Sequence, residues 1–585
     1  MAYFLRKDKK EKGLYLQIYE TFWVKELKQP RSKCIMSIGY LDDLKSDQMP
    51  DPIAHYQGVV DDMNSKLAAS RHEETRPRAF QRVIEKNVGY YLLSVLIDEL
   101  DVGPTIDILA NTRQFQFSIK DMLNQLIFAR VISPCSKAKS VSSVFPSLFR
   151  TAPMSEDQVY DGCFFIGESY RKYIELFNHQ FAKHHKRCFD RVYFDCTNYY
   201  FEMDLPKGDC QKGPSKENRM SPIIGQALLL DAEMIPLDMQ MFPGNESEKP
   251  HIRRLIEEMK QRCKVTGRTI QIADKGLNCA KNIHAAVVES TDGYIFSKSI
   301  HGRNLSEAEK SWILLNNDQN VFTDYYDESH HLTHRLKSCV DTFEYSFKEL
   351  DPETGEEITT SFSVQEKRVV VYSPKLAAKQ KAEILKMAEK ASNCVSYKKL
   401  AKEELGDAVK YVRVLNKDKN GKKVEPVFEV DEDRLNEDLQ YAGYNLLVTS
   451  ETKMTEQQIY SAYHKLWKIE ESFRITKSFL EARPVYVQKK ETIYGHFLVC
   501  YLSLFLLRVL ELKCFKGEIS SFELIEFIRD FRVAELENGT FLNISRNQSV
   551  NGMLKKLTGN TTLDALYLDK KEIDNLFDST MLFES

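Results

Sequence analysis

Tyr463-His-Lys-Leu-Trp-Lys-Ile-Glu470-Glu-Ser-Phe-Arg474-Ile-Thr-Lys477 is the stretch on which the reading of the whole chain turns. Tyr463, Glu470 and Lys477 follow one another seven residues apart, about two helical turns. A helix starting near Glu456, after the capping pair Thr455 and Gln458, therefore carries them on one face, with Arg474 between the last two. A carboxylate flanked by cations and a phenol suits a site that holds a metal ion beside a phosphate backbone. Two more carboxylates lie far upstream in strand-like surroundings, Asp195 in Val-Tyr-Phe-Asp-Cys-Thr and Asp274 in Ile-Gln-Ile-Ala-Asp-Lys-Gly. Two aspartates at strand ends and one glutamate on a helix make a common two-magnesium phosphoryl-transfer site. Glu470 is preferred to its neighbour Glu471 because it alone has the six-residue gap to Lys477, and Glu471→Ala is expected to be mild.

The surrounding pattern is α/β. Arg191 to Phe194 reads as a strand ending at Asp195, Pro222–Leu230 and Pro236–Phe242 as the next two, and Thr269–Ala273 as a fourth ending at Asp274. Helices over Ile252–Arg262 and Ala280–Val288 and a fifth strand at Tyr294–Ser297 complete the order of a ribonuclease-H-like sheet. Residues 300–442 break it with alternating runs at Val340 to Phe347 and Ser361 to Tyr372. A Lys-rich helix (Pro374–Lys390) follows, then a hairpin around Asn420-Gly421, so this part reads as an inserted β-rich module. The expected division is 1–79, a small β-containing segment with basic residues at Arg6, Lys7, Lys9, Lys10 and Lys12; 80–190, mainly helical; 191–299, the first part of the core; 300–442, the insertion; 443–511, the second part with the Glu470 helix; and 512–585, a helical tail with a helix over Phe522–Leu536.

With 585 residues the chain is long enough for several domains. Its net charge of −3 neither demands nor excludes nucleic acid, since only local positive charge is needed. Twelve scattered cysteines without a Cys-x-x-Cys pair argue against zinc and against a disulfide framework. The run Phe497–Leu507 is too short to span a bilayer and reads as a buried helix. His330 and His334, four apart, read as a solvated loop. The expectation is a reducing, cytoplasmic protein.

Together these motifs resemble the DDE transposases, specifically the insertion-sequence-four type group with a β-rich insertion before the catalytic Glu. That group carries Tyr-x2-Arg-x3-Glu-x6-Lys; this chain matches at Tyr463, Glu470 and Lys477 and has Leu466 in place of the Arg. Asp195 and Asp274 match the first and second acidic motifs, and Ser215 to Arg219 and Phe242 to Glu248 resemble the connecting segments. The likeness spans about Arg191 to Glu511. It implies Asp195, Asp274 and Glu470 as catalytic residues and ligands of Mg²⁺, with Mn²⁺ able to substitute. Asp195 would be the ligand shared between two ions, and Tyr463, Arg474 and Lys477 would be DNA contacts. The reaction implied is cleavage at the terminal inverted repeats of a mobile element and joining of the 3′ ends to target DNA, by a homodimer in a bacterial, nucleoid-associated setting. End recognition is expected before about Lys186, with the helical region 80–190 as the DNA-end-binding part. Two alternatives stay open: a Mg²⁺-dependent nuclease of the same fold, and a domesticated DNA-binding protein without cleavage.

Overall fold

The computed structural model describes residues 2–24, 29–46, 49–74, 84–203, 205–216, 221–301, 305–317, 321–351, 354–394, 405–417, 423–537, 539–545 and 548–579. The chain divides into two units, Met1–Ile84 with Ala534–Phe541, and the remainder.

In the first unit three antiparallel strands, Ala2–Lys10, Gly13–Val24 and Gln29–Tyr40, form a sheet. Leu16, Ile18 and the helical Val60 are buried. The helix Pro52–Glu74 is tied to the first strand by a reciprocal pair: Tyr3 N–H donates to Asn64 Oδ1 at 2.8 Å and Asn64 Nδ2 donates to Tyr3 O at 2.9 Å. The sequence reading found only the runs after Leu14 and Cys34. It missed the strand that carries Arg6, Lys7, Lys9 and Lys10, because charged residues on its outer face hide the alternation.

The second unit is built on a nine-stranded sheet, numbered here in chain order: β1 Arg191–Tyr200, β2 Ile223–Leu230, β3 Pro236–Pro243, β4 Ile270–Ala273, β5 Gly293–Lys298, β6 Thr323–Tyr326, β7 Leu332–Leu350, β8 Glu357–Tyr372 and β9 Tyr444–Thr449. Their spatial order is β6-β7-β8-β9-β5-β4-β1-β2-β3. The five strands β1 to β5 are arranged as the ribonuclease-H-like reading requires, with β1 parallel to β4 and antiparallel to β2. Helix α1 (Lys249–Arg262) buries Ile252, Leu255 and Ile256 against Val192, Phe194 and Ala227 on one face. The opposite face packs on a long helix introduced below, Tyr199 meeting Phe497 with ring centroids 4.7 Å apart.

Three boundaries differ from the sequence reading. β1 does not end at Asp195; it runs on to Tyr200, because Cys196 to Tyr200 keep their pairing with β2 and Thr197, Asn198 and Tyr199 are buried. The hairpin β7–β8 is not a module set apart from the core: β8 pairs with β9, and β9 with β5, so it widens the sheet. Only the part beyond it, helix α2 (Pro374–Ser392) with the two-stranded ribbon Val412–Lys417 and Lys423–Val430, has its own small core around Ile384, Tyr411 and Leu435. The Asn420-Gly421 turn lies outside the described residues. The tail helix stops at Asp530 and gives way to a strand at Arg532–Glu535. His334 is not in a loop; it sits in β7, buried between the rings of Tyr325 and Tyr460 at 4.8 and 4.1 Å.

After β9 come α3 (Glu456–His464), α4 (Trp467–Arg474) and α5 (Lys490–Val509). α5 continues as a wider turn to Cys514, long and apolar enough to cross a membrane, but 94% of its most apolar window is buried inside the fold, the mark of a core helix. The helices Ile119–Ile132, Glu156–Glu168 and Tyr170–His184 pack around it. The closest approach is glycine on glycine: a Cβ at Gly495 would lie 2.0 Å from Cys163 O, and one at Gly167 would lie 1.7 Å from Glu491 O. Gly495→Ala must therefore push two backbones apart and is expected to cost roughly 1–3 kcal/mol. Urea unfolding checks this against Gly267→Ala, which meets nothing within 4 Å and should stay within about 0.5 kcal/mol of the parent.

Candidate active site

The register of two parallel strands brings the upstream aspartates together. Phe194 of β1 pairs with Ala273 of β4, so the next residues along, Asp195 and Asp274, are neighbours at the same level of the sheet. Asp195 is held inside the strand, opposite Leu228 of β2, and its Oδ1 accepts from Cys196 N–H at 2.7 Å. Asp274 is the first residue past β4 and starts a short turn, Lys275–Leu277.

The Glu470 segment is not one uninterrupted helix. α3 ends at His464 and α4 starts at Trp467, joined by tight i→i+3 hydrogen bonds such as Leu466 N–H to Tyr463 O at 2.9 Å and Ile469 N–H to Leu466 O at 3.0 Å. After Arg474 the turn widens through Ile475–Phe479. Helical direction persists across both changes, but the simple one-face picture fails. Tyr463 turns inward and its hydroxyl donates to Asp274 Oδ1 at 3.1 Å; burial and the Asp274 charge raise its phenol. Arg474 lies over the Phe522 ring at 4.8 Å and Lys477 over the Tyr199 ring at 5.3 Å. Leu466, standing where the family signature has Arg, is buried, so this position supplies packing at the junction of the two helices.

Glu470 and Glu471 have opposite surroundings. Glu470 is exposed along its stem, while partial loss of water around its carboxyl group, and then the Asp274 charge, raise its pKa. Glu471 is buried and bound to Arg508 at 2.9 Å and Lys468 at 2.8 Å; the same two cations hold Glu511 at 2.7 and 3.1 Å. Arg508 is fully buried. This closed box of two cations and two carboxylates locks α4 onto α5. Glu471→Ala would leave two buried cations facing one carboxylate, Glu511, so its effect is expected on stability.

The electrostatics single out Asp274 as the charge felt by both partners. Burial raises the Asp195 carboxyl to about 7, with Asp274 and Glu248 pushing the same way and Lys216 opposing. Asp274 also raises Glu470. Lys216, to which the sequence reading gave no role, donates to Cys196 O and pairs with Glu248 at 3.2 Å. No local pattern marks it out; its place is set by the loop between β1 and β2. A cavity of about 500 Å³ opens beside Asp274 and Glu470, walled by Lys275, Lys298, Asn445 and, from α2, Gln380 and Met387.

A family model described as the transposase DDE domain matches residues 206–506, just over half of the 585-residue chain. The chain belongs to that family. The match includes Asp274 and Glu470 and starts after Asp195, whose place in the site rests on its register with β4. A comparison with curated proteins finds no match.

A DDE domain acts with divalent metal, and the donor chemistry here fits one. Asp195, Asp274 and Glu470 offer only carboxylate oxygens, the ligands of hard cations. Burial first, and the Asp274 charge after it, raise Asp195 and Glu470, and a bound cation would offset the cost of ionising both. Among the described residues no three His, Cys, Asp or Glu side chains are grouped closely enough to hold a single ion. The fit is therefore one of ligand type.

Two measurements follow. Glu471→Ala should lose roughly 1–3 kcal/mol of unfolding free energy by leaving Lys468 and Arg508 to share Glu511 alone, whereas Glu470→Ala should change it by no more than about 0.5 kcal/mol; urea unfolding separates them. For pH, Asp195 is raised from 3.8 to about 7. Between those values the metal-free folded state holds a proton that the unfolded state has released, so its contribution to stability falls as pH rises through that window. Magnesium requires the ionised carboxylate. The rise in melting temperature on adding Mg²⁺ should therefore grow from pH 6 to pH 8, and a rise independent of pH would contradict the assignment.

Proposed function

We propose that this member of the DDE transposase family cuts DNA at the ends of an insertion sequence and joins the freed 3′ ends to target DNA. The observation that carries the reading is the register that sets Asp195 beside Asp274 on two neighbouring parallel strands, with the Asp274 charge also reaching Glu470 on its helix.

In this reading Asp195, Asp274 and Glu470 hold Mg²⁺, or Mn²⁺ in its place. When bound, the metal polarises the attacking and leaving oxygens of an in-line phosphoryl transfer. The chain's own residues do the rest. Tyr463 orients Asp274 through its hydrogen bond. Lys216, beside Asp195, tempers the negative charge of the site. Lys275 and Lys298 line the adjoining cavity, where they can meet phosphate oxygens. Lys477 and Arg474, each lying over an aromatic ring, present cations on the side of the helix beyond Glu470.

The spacing of Tyr463, Glu470 and Lys477 supports membership of the insertion-sequence-four type group, with Leu466 as a departure of packing. In this reading two copies of the chain handle a pair of element ends together, in the cytoplasm with the nucleoid where such a substrate lies. The helices between 85 and 186 pack on α5, so a fragment starting near Arg191 would lose part of its core and could not test end recognition. The basic strand Ala2–Lys10 of the first unit is the better candidate for that role.

Asp195→Ala, Asp274→Ala and Glu470→Ala should each lower Mg²⁺-dependent cleavage by several orders of magnitude, because a lost ligand removes several kcal/mol of transition-state stabilisation. Binding to element ends and urea stability should be nearly unchanged. With a pre-cleaved 3′ end supplied, the parent should form a joined strand-transfer product. Hydrolysis without joining would favour the nuclease of the same fold, and end-binding without any cleavage by the parent would favour the domesticated reading.

A further inference from the structure

At the end of the sheet opposite the carboxylates a groove of about 1280 Å³ is left over by the site described above. Arg187 and Phe189, just before β1, and Cys263 and Lys264, just before β4, line it. It therefore opens at the beginnings of the two parallel strands, while Asp195 and Asp274 lie further along them. Its floor is apolar, from Leu176, Leu237 and Met259.

The rim is basic. Lys172 and Lys183 come from the helix Tyr170–His184, Lys186 from the loop after it, and Lys264 from the loop after α1; all four are exposed. Glu175 is the one carboxylate among the described lining residues. The two arginines at the groove are neutralised from within the fold, Arg187 by Asp231 and Arg262 by Asp238, so the outward charge belongs to the lysines. The chain as a whole has more acids than bases, 85 against 82. Four lysines from three segments facing one groove thus depart from its average composition.

The dimensions favour a polymer over a small anion. Lys172 and Lys183 are eleven residues apart on one helix face, about 16 Å along the axis, which matches about five steps of a duplex strand at 3.4 Å each. The groove also exceeds the roughly 300–1,000 Å³ usual for small-molecule pockets. Lysines are point charges without the planar fork that reads base edges, and they suit phosphate held irrespective of sequence.

We propose that this groove is a second track for a duplex DNA backbone, separate from the carboxylates and blind to sequence. The proposal rests on the reading of the chain as a DNA-transferring enzyme and adds a path for DNA at the far end of the sheet.

The test uses the full chain and a duplex of arbitrary sequence. The variant combines Lys172→Gln, Lys183→Gln, Lys186→Gln and Lys264→Gln, none of which belongs to the catalytic site. Each lost phosphate contact lowers the slope of log affinity against log salt by about 0.9, so the slope should become shallower by about 2 to 4. A second readout needs no variant and decides the matter even if the quadruple change fails to fold: Cys263 is exposed at the rim, and saturating duplex should slow its alkylation several-fold relative to the same protein without DNA. If the parent binds duplex with an unchanged slope in the variant and unprotected Cys263, the groove proposal falls and the reading of the active site stands. If the parent binds no duplex at any salt concentration, both fall.

Discussion

The parallel pairing of β1 with β4 is the constraint on which the site depends. Phe194 opposite Ala273 fixes Asp195 beside Asp274, and a one-residue slip would send one of the two carboxylates to the other face of the sheet. The register is secured from both faces: Val192 and Phe194 are locked against α1, while Tyr193 and Tyr199 are buried on the opposite side. Two negative groups are thus held together by apolar burial, which pays no regard to their repulsion. Burial is the larger cause of the raised Asp195, and the Asp274 charge adds to it.

The third carboxylate is positioned by a different force. Glu470 is exposed and cannot anchor itself, so the anchoring falls to its neighbour. Glu471, Lys468, Arg508 and Glu511 form a buried ionic box that fixes α4 on α5. Such a box contributes little net stability compared with apolar packing, but breaking it is costly. Its value here is register, since rotating α4 by one residue would exchange Glu470 for Glu471 at the site. α5 is in turn gripped by the helices before β1 through the glycine contacts at Gly167 and Gly495. The N-terminal helices and the active site are therefore mechanically connected.

The parts legible in the sequence are those fixed by local pattern. β2 to β5 are apolar runs bounded by turn residues, and they appear within a residue or two of the expected limits. α3 begins at its capping box. The preference for Glu470 over Glu471 followed from spacing alone, and the two side chains do face opposite environments. What was illegible depends on partners distant in sequence. Nothing local says that β8 will pair with β9 and carry β7 into the sheet, or that Tyr463 will turn to Asp274. Lys216 sits in a polar loop whose composition marks only a loop. The strand Ala2–Lys10 and the helix Pro52–Glu74 were missed because charged and polar residues obscure their periodicity.

The central claim is that Asp195, Asp274 and Glu470 are the carboxylates that ligate divalent metal when it binds. Replacing Mg²⁺ with Fe²⁺, generating hydroxyl radical at the bound ion and mapping the backbone cuts by mass tests it most directly. The account predicts cuts clustered around residues 195, 274 and 470, three segments far apart in sequence, and their disappearance in Asp274→Ala. Cuts concentrated elsewhere, or an unchanged pattern in Asp274→Ala, would contradict it.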